Sequence, residues 1–301
     1  MKLHFLIASL FLFVSTYSFG QGCSDAGACT INGLKPHGQE NVNSINDQFK
    51  IGGYFGIADN SVNVYGNYLE YNRRIADKYG LDIKISAIAQ NGNDISKQGL
   101  SDVFLNLNYF AADRFVITAG AKIPLSDANR KLDGLSLPMD YQPTLGTFDL
   151  IIGAAYAINN FQIVAAIQQP LSQNGNEFIS GNYPENSALR NFQTTNKFKR
   201  SGDVLLRVSY PIRLYRDLTI TTSILPIYHL ANDKYTDEYE IENEIIGSRG
   251  LTLNGNIYLD YKLNEENSIQ LNVGAPFIVR DSRPDGLTRS FISTLEYKIT
   301  F

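Results

Sequence analysis

Apolar and polar residues alternate along stretch after stretch of this chain, with turn-forming residues between. Strand side chains repeat with period 2, so each such stretch reads as a strand with one apolar face. In the last, Phe291, Leu295, Tyr297, Ile299 and Phe301 share one face, and Ile292, Thr294, Glu296, Lys298 and Thr300 the other. The same reading gives twelve strands, near 48–58, 61–74, 81–90, 101–110, 115–124, 147–157, 161–170, 202–214, 218–230, 251–263, 268–280 and 290–301. Each has about the ten residues that a tilted membrane-crossing strand needs.

The connections alternate as well. Those after even-numbered strands are short, as at 111–114, 158–160 and 215–217. Those after odd-numbered strands are longer and polar, with only the first, at Asp59-Asn60, tight. This pattern predicts an all-β fold, a transmembrane antiparallel up-and-down β-barrel with both chain ends on the periplasmic side. A soluble β-sandwich also has many short strands. It explains neither the alternating loop lengths nor an aromatic-tipped final strand, which would be an exposed edge in an open sheet. Tyr297, Ile299 and Phe301 are expected to be the assembly signal read by the barrel-assembly machinery.

The first residues differ. Lys2 precedes an apolar run from Phe5 to Phe13, then Ser18 and Gly20, so residues 1–20 read as a secretory signal peptide. The run is shorter than the roughly 20 residues of a membrane-spanning helix. A lipoprotein anchored on Cys23 is the other reading, but Gly20-Gln21-Gly22-Cys23 lacks the aliphatic residue expected three places before the cysteine. Residues 21–46 do not read as strand. They carry Cys23 and Cys29, for which a disulfide is expected in an oxidising compartment. This segment either plugs the barrel of residues 47–301 or hangs below it as a linker.

Composition agrees with a barrel in the outer membrane of a Gram-negative cell, facing its lipid. Charged residues are 19%, below the roughly 25% of soluble domains. Tyr and Phe number 18 and 17, enough for interfacial girdles. A net charge of -4 argues against nucleic acid as a partner. There is no phosphate-binding glycine loop or zinc motif, so no cofactor or metal is expected.

Strand faces also sort the polar residues. Charge on the lipid face costs roughly 2–4 kcal/mol at the midplane. Lys84, Asp102, Asn106, Lys122, Asp149, Asp203, Arg207, Asp260 and Lys262 are therefore expected to line the lumen or its mouths as a solute path. Ser209, Arg213, Asn254, Asn256 and Tyr258 fall on the same register. So do Ile88, Phe104, Phe110, Ile151, Leu205 and Leu225, which makes the interior amphipathic. Residues 171–200 are long enough to fold back as a lid. Glu238, Glu240, Glu242 and Glu244 form an acidic ridge, either a cation site or a solvated face. Past the signal peptide the only histidines are His37 and His229, and Ser223 lies about 20 Å down the strand from His229 by strand rise. Acyl transfer needs these groups in contact, so no enzyme is expected.

Three stretches carry a family resemblance: Gly99-Leu100-Ser101-Asp102-Val103, Gly120-Ala121-Lys122-Ile123-Pro124-Leu125, and Leu137-Pro138 with residues Gln142 to Asp149. They resemble the outer-membrane family named for the meta-pathway of phenol degradation, a relative of the long-chain fatty-acid channel. Thr144 stands where that family tends to have glycine. The resemblance implies a barrel passing small, often hydrophobic solutes by passive diffusion. The alternative is a non-conducting structural or surface-interaction barrel with a filled lumen.

Deleting Phe301 should impair assembly in cells far more than refolding in detergent, and equal effects in both would refute an assembly-signal role. Exchanging Cys23 and Cys29 for Ser should leave heat-modifiable migration intact, because the ladder of backbone hydrogen bonds carries the stability.

Overall fold

The structure is a computed structural model that describes Gly27, residues 30–36, 47–286 and 290–301. The expected signal peptide, Cys23, Cys29 and His37 lie outside the described residues. The chain closes into one antiparallel barrel of twelve strands. These are β1 (Gln48–Ile57), β2 (Asn63–Ala76), β3 (Tyr79–Gly92), β4 (Ile95–Ala112), β5 (Phe115–Pro124) and β6 (Asp149–Ile158). They continue with β7 (Phe161–Pro170), β8 (Asp203–Tyr215), β9 (Leu218–His229), β10 (Gly250–Lys262), β11 (Asn267–Ile278) and β12 (Phe291–Thr300). Each strand pairs with its neighbours in sequence, and β12 returns to β1 in a register running from Gln48 opposite Thr300 to Ile57 opposite Phe291.

The alternation becomes an inside and an outside. Ile51, Leu69, Ile152, Leu206, Ile224 and Ile257 stand exposed on the outer wall. Their neighbours along each strand, such as Lys50, Glu70, Ile151, Leu205 and Asn256, are buried in the lumen. Aromatic pairs ring the inner end: Tyr79 with Tyr109, Phe115 with Tyr156 and Phe161 with Tyr210, at centroid distances of 5.3, 6.3 and 4.9 Å. Such rings favour the level of the lipid headgroups. The barrel is thus of the outer-membrane type, and its lipid belt places it in that membrane.

One connection departs from expectation. The segment between β3 and β4 is no long loop. The two strands run on to a tight turn at Asn93-Asp94, where both residues have positive φ. That conformation suits a two-residue hairpin, and Asn and Asp tolerate it. The alternation fades here for two reasons. The extension carries polar residues such as Asn91, Ser96 and Gln98. The register also shifts by one between Ile85 and Ala87, a bulge that turns both Ser101 and Asp102 inward.

Two glycines hold aromatic rings flat on the sheet. Gly52 opposes Tyr68, and Gly66 opposes Tyr54. A Cβ on Gly52 would stand 2.3 Å from the Tyr68 ring, and one on Gly66 would stand 2.0 Å from that of Tyr54. Both tyrosines join an apolar cluster in the outer mouth with Leu137, Tyr141, Phe178, Tyr183, Leu189 and Phe192. Residues 125–148 and 171–202 therefore fold into the mouth, while 230–249 and 279–286 pack beside them. Tyr141 fastens the inserted loop to the β3–β4 hairpin, since its hydroxyl donates to the Gly92 carbonyl and accepts from Asn93.

Replacing Gly52 with Val should displace Tyr68 and cost about 1–3 kcal/mol, the usual range for overpacking. A lower midpoint for loss of heat-modifiable migration would register it, and an unchanged midpoint would contradict the packing described.

Candidate functional site, a stoppered lumen

The lumen is occupied by chain that belongs to no strand. Residues 30–36 enter among the wall side chains, and the short 3-10 turn Asn32–Leu34 is buried throughout. Leu34 packs with Phe104, Ile151, Ala155, Val164, Ala166, Leu205 and Leu225. The wall is small where Leu34 lies: a Cβ on Gly153 would sit 2.9 Å from a Leu34 methyl. Polar groups fix the same turn. Arg207 donates to the Leu34 carbonyl at 2.6 Å, and Lys50 donates to the Asn32 side-chain oxygen. Lys50 also pairs with Glu70 at 3.1 Å, and Lys35 with Glu296 at 3.2 Å. Tyr68 donates to the same Glu296 carboxylate. Lys84 completes this layer with its ammonium 4.0 Å from the Tyr68 ring centre.

A second layer lies toward the outer mouth, where the three stretches that carry the family resemblance converge. Lys122 and Asp149 pair at 3.0 Å with both side chains fully buried. Lys122 also donates to Thr147, and Gln168 donates to Asp149. Asp102, aimed inward by the bulge, accepts from Ser101 and from Thr144 at 2.7 Å. The hydroxyl of Thr144, where the family tends to have glycine, thus ties the inserted loop to the wall. Gln142 clasps the same loop to itself through Arg130 and Leu137, and Gln90 of β3 donates to the Gln142 carbonyl.

The third layer closes the rim. Arg200 bridges Asp203 and Asp285, and Arg280 pairs with Asp285 at 3.0 Å. Burial alone would raise the Asp285 carboxyl, but Arg280 and Arg200 outweigh it and hold it well below the usual carboxylate range. The stabilisation from this clamp is therefore present above the ordinary carboxylate pKa and is lost only as pH falls through the depressed value. His229 sits between two carboxylates, Asp203 at 2.7 Å and Asp233 at 2.8 Å. Ser223 instead receives a hydrogen bond from Ser209. Among the described residues no serine–histidine pair is poised for acyl transfer. The acidic ridge is partnered: Lys197 binds Glu240, Lys199 and Lys234 bind Glu242, and Asn232 binds Glu244.

The expected path residues fall in several places. Lys84, Asp102, Asn106, Lys122, Asp149 and Arg207 lie buried inside the barrel. Asp203 belongs to the rim layer, and Asp260 accepts from Gln270 at 2.7 Å near the inner end. Lys262 and Arg213 differ: both are exposed at the inner mouth, because their strand ends run past the lipid. Alternation put Glu70, Glu296, Arg200 and Asp285 on no list of candidates. The first two were legible as polar residues on the inward register of β2 and β12. The last two lie in loops, where period 2 carries no information.

Comparison with known proteins supports the fold. No family model matches the chain, and no curated protein matches it by sequence. An outer membrane channel from Pseudomonas putida F1, solved by crystallography, is similar with a TM-score of 0.57 at 11% identity, over 89% of this chain and 99% of that one. A KdgM porin follows at 11% identity and TM-score 0.44, over 84% of this chain and 99% of that chain. The CymD monoaromatic hydrocarbon channel stands at 8% and 0.44, over 93% and 94%. At 11% identity the likeness to the Pseudomonas channel is one of fold.

Removing one partner of the buried pair should harm the barrel more than removing both. Lys122→Met leaves the Asp149 charge buried and is expected to cost about 3–5 kcal/mol. Adding Asp149→Leu should recover most of that loss, as measured by thermal unfolding of the refolded protein. A double variant no better than the single one would contradict this account.

Proposed function

We propose that this protein is a passive outer-membrane channel for small, partly hydrophobic solutes, with residues 30–36 acting as a displaceable plug. One observation carries the reading. The wall keeps small residues, Gly153, Ala155 and Ala166, and the space they leave is filled by Leu34 from outside the strands. A barrel built only as a rigid core would fill that space with its own wall side chains, as small barrels do. The amphipathic lining supports passage of solutes that are neither ionic nor wholly apolar.

The burial of every charge but Lys35 in the Lys122 and Lys50 layers favours a second reading, a non-conducting barrel with a filled lumen. No catalytic role is proposed, since the His229 ring is taken up by two carboxylates.

Planar-bilayer conductance separates the two. Leu34→Glu places a carboxylate among Phe104, Ile151 and Leu225 and should expel the turn. The intact protein is expected to open rarely and Leu34→Glu often. A correctly folded Leu34→Glu barrel that stays silent would favour the non-conducting reading.

A further inference from the structure

Most buried polar side chains in this lumen have partners, and the atoms without one gather most densely on one patch of wall. On β10, Asn256 is 2% exposed and neither atom of its amide has a hydrogen-bond partner. The Asn254 oxygen, two residues along, has none either, and its nitrogen reaches only the Leu225 carbonyl at 3.4 Å. The neighbouring strands continue the patch. Thr221 on β9 and Asn272 on β11 both lie opposite Tyr258, and the Thr221 hydroxyl and the Asn272 oxygen are likewise unmatched. Elsewhere the unmatched atoms are scattered: single oxygens of Asn72, Gln90 and Asn106, and atoms of side chains such as Glu70 and Asp149 that are ion-paired through another atom. Asp260, farther along β10, has one unmatched oxygen and accepts from Gln270 through the other.

A buried donor or acceptor left without a partner costs free energy, so a group of them on one wall marks a surface kept open for something that can bond. Its chemistry is specific. The unmatched groups are amides and a hydroxyl, able both to donate and to accept. None of these four is charged, so they offer a bare ion no opposite charge in exchange for its hydration. Spacing is about 7 Å along β10 and about 5 Å between strands, which suits a molecule with several hydroxyls. Leu225, opposite Asn254, opens onto the apolar cluster around Leu34.

We propose that the wall formed by Thr221, Asn254, Asn256 and Asn272 is a binding strip for uncharged, hydroxyl-rich solutes in transit. The proposal rests on the channel reading above and adds uncharged polyols to the partly hydrophobic solutes named there. It also predicts an inverse relation between flux and stability. Removing an unmatched amide should not weaken the barrel, but it should slow the solute.

The test is proteoliposome flux of sorbitol against gluconate, with thermal unfolding measured alongside. The intact protein should pass sorbitol faster than gluconate. Asn256→Leu should cut sorbitol flux about tenfold, the factor that corresponds to one net hydrogen bond, with an unchanged or higher unfolding midpoint. Thr221→Val, which keeps the shape, gives an independent reading should Asn256→Leu fail to fold. Vesicles that pass neither solute would overturn the channel reading and this proposal with it. Vesicles that pass both at a ratio neither variant changes would overturn this proposal alone. So would a lowered midpoint for both variants, since the groups would then serve the barrel's own structure.

Discussion

Closure of β12 onto β1 is the constraint on which the rest of this protein depends. In hydrocarbon no water is available to an unpaired N–H or C=O, so a sheet that crosses the membrane must leave no edge. The pairing from Gln48–Thr300 to Ile57–Phe291 meets that requirement. It also divides the side chains: once the sheet is a cylinder, every residue faces lipid or lumen. The apolar outer wall and the crowded polar interior are two results of one ring of hydrogen bonds.

The interior is organised by charge in layers. Glu296, on the final strand, receives Lys35 and Tyr68, so the strand that seals the barrel also holds the segment that fills it. Farther out, Asp102 receives Ser101 from the strand wall and Thr144 from the inserted loop. At the rim, Asp203 receives Arg200 from a loop and His229 from β9. In each layer a carboxylate meets both strand and non-strand groups, and so couples the wall to a segment that could leave it.

Much of this was legible in the chain. Period 2 located all twelve strands, in several cases to within a residue, because lipid on one side and polar groups on the other impose it strictly. It failed where lipid no longer acts. Above the membrane the β3–β4 hairpin stays paired without an apolar face, so Asn93-Asp94 was read as part of a long loop. Contacts between distant segments left no local trace. Nothing near Leu34 announces that Gly153 and Ala166 leave room for it. Nothing near Glu242 announces Lys199 and Lys234.

The bulge at Ser101 and Asp102 acts as a half-period offset in the wall. Below it, even-numbered residues of β4 face inward, such as Asn106 and Phe104; above it, odd-numbered ones do, such as Ile95, while Leu100 turns outward. The upper part of the strand is thus out of phase with the lower part by one residue. Losing a single residue there would bring the two back into phase, exchange the faces of the whole upper hairpin, and swing Leu100 in and Ile95 out. In this stretch the count of residues specifies the structure more tightly than their identity, so substitution should be tolerated where deletion is not.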